Sequence, residues 1–171
     1  QFIAVGQWGI YTSSDGVTWT ERYNKITWIW SIMYGNNQFI AVGSRGTILT
    51  SPDGAIWTER FSGTTTWLFS VTYDNNQFIA AGTGGTILTS PDGATWTVRS
   101  SGTTLGIRSI TYGNDLFIAG GQYGTILTSP DGATWTVRSL GTRRHVNSVM
   151  YCNNQFIALS HNLIHTSPDG V

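Results

Sequence analysis

Nine carboxylates, three histidines and one cysteine are the side chains of this sequence best suited to holding a metal or carrying covalent chemistry. Their placement argues against both. Asp15, Asp53, Asp92, Asp131 and Asp169 each stand in a Ser-x-Asp-Gly tetrapeptide, Asp74 and Asp115 fall in Asn-type turns, and Glu21 and Glu59 hold one equivalent position. A two-carboxylate glycosidase needs its acids about 5–10 Å apart across a bound sugar, and acids distributed singly over equivalent turns do not meet that need. His161 and His165 are four residues apart, which on a strand separates them by about 13 Å, too far for a shared metal. The turns also lack the alternating Asp/Asn ligands of a calcium cage. Cys152 has no base beside it and replaces Gly35, Asp74 and Gly113 of equivalent turns, so it is expected as an exposed free thiol. Neither cofactor nor metal is expected.

Recognition chemistry is better represented. Eight tryptophans and nine cations occur in 171 residues of zero formal net charge. That neutrality gives no electrostatic reason to expect nucleic acid or an anionic membrane as partner, and no apolar run approaches the ~18 residues of a spanning helix. A glycan or a protein is the expected ligand. The absence of an initiator Met and of a leader-like segment reads as a mature, excised or engineered segment; no compartment follows, although an extracellular or cell-surface one is favoured.

The elements that position these residues are repeats. The five tetrapeptide Asp residues are spaced by 38, 39, 39 and 38, and segments from Gln1, Gln38, Gln77, Leu116 and Gln155 read QFIAVG, QFIAVG, QFIAAG, LFIAGG and QFIALS. The units are 1–37, 38–76, 77–115, 116–154 and a partial 155–171 within a single domain. In the third, the apolar runs 77–82, 86–90, 95–100 and 107–112 are separated by Gly, Pro-Asp-Gly, Ser-Gly and Asn turns. β-Branched and aromatic residues dominate these runs without a 3.6-residue period, which indicates four strands per unit and no helix. A small twisted sheet cannot cover both its faces, so repeated four-stranded units stack around an axis as a β-propeller.

The segments SSDGVTW, SPDGAIW, two copies of SPDGATW and a terminal SPDGV resemble the Asp-box, or bacterial neuraminidase repeat. In that family the hairpin joins the third and fourth strands of a blade. Carried over, the resemblance implies that Gln1 opens a second strand and that Asp169 follows a third, so five blades with incomplete end blades are expected. Part of a larger ring, or a ring completed by a second chain through those end blades, is the alternative. The resemblance marks a structural corner found in sialidases and in plain binding propellers alike. Sialidase machinery is not expected: all four prolines lie in the tetrapeptides, which leaves no Arg-Ile-Pro motif, and Glu21 and Glu59 alternate with Val98 and Val137 at one outer-strand position. A glycosidase-related activity is only a minor alternative.

Positions that differ between units cluster in two places. One is the loop after the second strand, at Gln7-Trp8, Ser44-Arg45, Thr83-Gly84, Gln122-Tyr123 and His161-Asn162; the other is the lead-in to the innermost strand, at 27–30, 66–69, 105–108 and 144–147. In an up-and-down blade both emerge on one rim, opposite the acidic turns. Lys25, Arg45, Arg108, Arg143 and Arg144 fall on or beside that rim, with no carboxylate assigned to it. Trp28, Trp30, Trp67 and Phe69 admit two readings, as core between blades or as exposed contacts. The candidate ligand-binding residues are Trp8, Arg45, Trp67, Arg108, Tyr123, Arg144, His145 and His161, aromatics stacking on a ligand and cations selecting an anion. A lectin-like binding propeller and a protein-interaction or engineered scaffold are the two functional readings. Unlike residues at equivalent positions weigh against five identical sugar sites.

Overall fold

The computed structural model describes residues 1–25 and 27–170. Every regular element apart from three short 3-10 turns is a strand, and the strands form five antiparallel sheets in chain order. The first holds β1 (Phe2–Gly6), β2 (Gly9–Ser13) and β3 (Thr20–Tyr23). Three four-stranded sheets follow: β4 (Ile29–Gly35) to β7 (Thr58–Arg60), β8 (Leu68–Asp74) to β11 (Thr97–Arg99), and β12 (Ile107–Gly113) to β15 (Thr136–Ser139). The last holds β16 (Val146–Cys152), β17 (Gln155–Ser160) and β18 (Leu163–Ser167). By register, the first sheet begins at a second strand and the last stops after a third.

Alternation along the strands divides each sheet between two neighbours. Ile40 and Val42 pack with Leu68, Val71 and Phe78 of the next sheet, whereas Ala41 and Leu49 pack with Ile10 of the preceding one. The same partition recurs where Ile79 meets Ile110 and Phe117, and where Ile118 meets Val149 and Phe156. The innermost strands also share a polar seam. Ser31 Oγ accepts the Val71 N–H at 3.2 Å, Ser70 Oγ that of Ile110 at 3.2 Å and Ser109 Oγ that of Val149 at 3.0 Å. Gly35 and Gly113 let the rings of Tyr73 and Tyr151 lie against the backbone, where a Cβ would collide with them.

The packing runs from β4 to β8, β12 and β16, with β1 against β4, and nothing comparable joins the last sheet to the first. The expectation of a closed ring is therefore not met by the described residues, which form five sheets in an open series. Both end sheets expose apolar residues, Phe2 on the first and Ile164 on the last.

The tetrapeptide turns follow the physics that their residues suggest. Asp15 Oδ1 accepts the N–H groups of Val17 and Thr18 at 2.8 Å each, and Ser13 Oγ accepts that of Gly16 at 2.8 Å. Asp53, Asp92 and Asp131 repeat this pattern. The glycines adopt φ near +70° to +79°, a region that costs an L side chain about 1–2 kcal/mol. Trp57, Trp96 and Trp135 donate Nε1–H to the carbonyls of Gly54, Gly93 and Gly132. Turns also grip the preceding sheet: Gln38 Nε2 donates to the Asp92 carbonyl and Gln77 Nε2 to that of Asp131, both at 2.8 Å.

Two outcomes follow. Ser109→Ala leaves the Val149 N–H without its acceptor at a sheet junction and should cost about 1–3 kcal/mol in urea unfolding; an unchanged midpoint would show that the seam carries no stability. The backbone N–H donors hold the turn carboxyls below their ordinary range, Asp15 at about 2 and Asp53, Asp92 and Asp131 also lowered. A folded-state pKa below the unfolded value of about 3.9 means that this stabilisation is complete above about pH 5 and disappears as the pH falls towards about 2. Melting temperature should accordingly be flat from about pH 7 to about pH 5 and drop below about pH 4. Asn at positions 53, 92 and 131 should flatten that drop.

Candidate binding rim

Hydrogen bonds tie the two variable regions together on one rim. The 3-10 turns Ser44–Gly46, Thr83–Gly85 and Gln122–Gly124 follow the second strands. Their first residues donate backbone N–H to the carbonyls of Trp28, Trp67 and Gly106 at 2.8, 2.9 and 2.9 Å, so each loop is fastened to the lead-in of its own sheet's innermost strand. In return Ser44 Oγ, Thr83 Oγ1 and Gln122 Oε1 accept the N–H groups of Trp28, Trp67 and Gly106.

The innermost strands carry a bulge at this end. Pairing skips Trp30 between Ile29 and Ser31, Phe69 between Leu68 and Ser70, Arg108 between Ile107 and Ser109, and Asn147 between Val146 and Ser148. A bulge re-aims its side chain. The flanking Ile29, Leu68, Ile107 and Val146 are buried, while Trp30, Arg108 and Asn147 are exposed. This resolves the two readings of the aromatic group: Trp28, Trp30 and Trp67 are 42%, 39% and 48% exposed and Phe69 is half-buried, so these are rim residues rather than core.

The four aromatics form one cluster. Trp28 stacks on Trp30 with centroids 4.9 Å apart, Trp30 lies 6.4 Å from Trp67 and 5.9 Å from Phe69, and Trp67 meets Phe69 edge-on at 6.4 Å. Beside them opens a pocket of about 390 Å³, lined by Trp30, Phe69, Thr83, Gly106, Arg108 and Gln122. Arg108 reaches it from the next sheet and donates to Asn147 Oδ1 at 2.7 Å. Further round, Tyr123 packs on His145 at 5.2 Å and donates its N–H to His145 Nδ1 at 3.2 Å, which places the neutral imidazole's proton on Nε2. Arg144 donates to the His161 carbonyl at 3.0 Å.

Of the eight residues expected to bind, Trp67 belongs to the aromatic cluster, Arg108 lines the pocket beside it, and Tyr123, His145, Arg144 and His161 form two adjoining contacts. Arg45 is exposed at the head of its loop, beside a hollow that also includes Glu59. Trp8 is 59% exposed in the β1–β2 turn and makes no ring contact among the described residues. Trp30, Phe69, Gln122 and Asn147 were not among the expected contacts; the signal available for them was their variation between units.

One expectation is corrected. The rim is not free of carboxylate influence, because Glu59 accepts from Lys25 and from the Tyr23 hydroxyl. Lys25 and then Tyr23 hold the Glu59 carboxyl below its ordinary value, and burial, reinforced by Glu59, pushes the Tyr23 hydroxyl up. A long side chain on the outer strand reaches the connection that leads to the rim, which strand assignment alone does not reveal. Lys25 is thus neutralised locally, and Arg45, Arg108, Arg143 and Arg144 remain as the rim's other cations.

Backbone geometry strains two rim side chains. Arg45 and Tyr123 have φ of +54° and +53° at the position where the third sheet places Gly84 at +65° and the fifth Asn162 at +60°, residue types that take this region more readily. Both side chains are kept at a conformation that disfavours them, and strain of this kind concentrates at functional positions. Tyr123→Gly should leave the melting temperature unchanged or raise it, with a gain of up to about 1 kcal/mol. A marked loss of stability would mean that Tyr123 is a packing residue.

No family model and no curated protein sequence matches the chain. Solved structures do, among them a WD40 β-propeller domain and computationally designed proteins. YCF48 from Cyanidioschyzon merolae aligns with TM-score 0.72 at 18% identity over 99% of this chain and 66% of that one. A structure of YCF48 bound to D1 peptide gives 0.72 at 20%, over 96% and 58%. The computationally designed Ika4 protein gives 0.70 at 11%, over 84% and 92%, and the WD40 β-propeller domain of Doa1 gives 0.73 at 14%, over 96% and 60%. At these identities the likeness concerns the fold. The chain spans 58–66% of the YCF48 and Doa1 chains.

Proposed function

We propose that this chain is a non-catalytic binding propeller whose variable rim takes a polypeptide segment, one presenting an aromatic or other large apolar side chain close to an acidic group. The observation that carries this reading is the asymmetry of the rim. Trp28, Trp30, Trp67 and Phe69 crowd onto the second and third sheets, whereas Arg108, Tyr123, His145 and Arg144 occupy the fourth and fifth. A single ligand spanning the pocket between them meets ring faces on one side and a guanidinium on the other. Clustered aromatic and arginine anchors are characteristic of energetic centres in protein interfaces.

Repeated glycan sites fit less well, because a lectin that gains avidity through multivalency needs like residues on successive blades. The equivalent bulge positions hold Trp30, Phe69, Arg108 and Asn147. That one neighbour in fold was solved with a bound peptide supports the reading without identifying the ligand. The Ser-x-Asp-Gly corners belong to the same proposal as Asp-box elements, structural on the opposite rim. One oxygen of each carboxylate at Asp15, Asp53, Asp92 and Asp131 accepts two N–H groups of its own turn, which suits a scaffold role.

Immobilised chain can be screened in parallel against a random peptide display library and a glycan array. Enrichment of peptides combining Trp, Tyr, Phe or Leu with Asp or Glu is expected. Trp30→Ala and Arg108→Ala should each weaken the best peptide about tenfold or more, and higher salt should weaken it further. Glycan signals sensitive to Trp30→Ala, with no peptide enriched, would overturn the proposal in favour of a lectin.

A further inference from the structure

The lead-in to each of the four innermost strands presents one residue at the same point of the rim, and all but one of these residues carry a ring. Trp28, Trp67, Gly106 and His145 each stand immediately before the buried residue at which the bulge begins, Ile29, Leu68, Ile107 and Val146. The same backbone bond identifies the first three, because their carbonyls accept the N–H groups of Ser44, Thr83 and Gln122. Gly106 alone brings no side chain. The pocket of about 390 Å³ opens at Gly106, between the third and fourth sheets. Each of those sheets has four strands and packs against a sheet on either side.

The filled copies show what a ring at that point touches. Trp67 meets Trp30 of the preceding sheet at 6.4 Å, and Phe69, two positions on in its own strand, also at 6.4 Å. Trp28 stacks on Trp30, two positions on, at 4.9 Å. Moved forward one sheet, these neighbours become Phe69 of the preceding sheet and Arg108 of the same strand, and both line the pocket. The wall is polar where an indole N–H needs an acceptor: Gln122 Oε1 takes the Gly106 N–H at 3.0 Å and keeps a second lone pair. Arg108 is exposed, donates to Asn147 Oδ1, and has no carboxylate partner among the described residues. A side chain at position 106 is also sterically admissible, since an added Cβ would first meet the Gln122 amide at 3.4–3.5 Å, an ordinary contact distance.

We propose that this vacancy is the anchor subsite of the rim, and that it takes the indole of a tryptophan in the bound polypeptide, with an acidic group beside it. The inference rests on the polypeptide reading and narrows the ligand's apolar group to an aromatic ring. The incoming indole continues the series of rings formed by Trp28, Trp30 and Trp67 and lies against Phe69. The Arg108 guanidinium covers its face, while the N–H groups not used by Asn147 pair with the carboxylate; a planar guanidinium makes both contacts at once. A leucine of the ligand fills space but offers neither partner a ring face.

The test uses this chain with N-acetyl-tryptophan, its uncharged relative N-acetyl-tryptophanamide and N-acetyl-leucine, titrated by ligand-observed NMR at low salt. N-acetyl-tryptophan should bind saturably in the millimolar range, with its ring protons shifted upfield by the aromatic wall. The amide should bind about two- to fivefold more weakly, and the leucine derivative more weakly by about fivefold or more. Gly106→Trp puts the chain's own indole into the vacancy and should reduce binding about tenfold or more while melting as the parent does. Phe69→Ala, which removes wall instead of filling the space, should reduce it about two- to tenfold, and it decides the matter if the filled variant does not fold. Undiminished binding to either variant, equal binding of N-acetyl-leucine, or no binding of N-acetyl-tryptophan at millimolar concentration would overturn the subsite, even where display peptides still bind the rim. Ring binding that Gly106→Trp abolishes, with no peptide enriched, would instead keep the subsite and remove the polypeptide reading.

Discussion

No sheet in this protein can bury its own two faces, and every other feature depends on that constraint. Strand alternation sends Ile40 and Val42 forward to one neighbour and Ala41 with Leu49 back to the other. Stability is then shared between consecutive sheets, as expected for repeat proteins. The Ser Oγ seam between innermost strands and the Gln-to-carbonyl bonds at the turns add directional contacts to the same junctions. Because this coupling acts only between neighbours, it propagates order along the series.

Assigning rigidity to one rim releases the other. The Ser-x-Asp-Gly turns satisfy their backbone donors internally and clamp the preceding sheet, so the substitutions that distinguish one unit from the next accumulate at the opposite rim. There the bulge matters more than residue type. A regular strand would point successive side chains alternately at the two neighbouring sheets, whereas the extra residue re-aims Trp30 and Arg108 outward beside buried Ile29 and Ile107 and leaves Phe69 half-exposed beside buried Leu68. The outcome is a surface whose chemistry can change without altering the packing beneath it.

Comparison of the units separates two features of the fifth sheet. Ile164 is 70% exposed although its equivalents Ile48, Ile87 and Ile126 are 0–6% exposed. The residue has not changed; no sheet among the described elements covers it. His165, by contrast, is a change of residue at a position that elsewhere is Leu or Tyr, and its Nε2 is buried without a hydrogen-bond partner.

Strand number, the turn chemistry of the tetrapeptides, the absence of helices longer than a 3-10 turn and the gathering of variable positions on one rim were all legible in the residues. Each depends on local spacing: a period of two, a Gly needed at positive φ, and an antiparallel return that fixes which loops emerge together. Tertiary structure alone decided three further points. It exposed Trp30 beside Trp28 and Trp67 of the lead-ins, because a bulge shifts register without leaving a compositional mark. It brought Glu59 to Lys25 across 34 residues of chain, because long side chains reach beyond their strand. It also set which sheets pack together, because the neighbours of a sheet follow from the turn between successive units, and no single repeat encodes that turn.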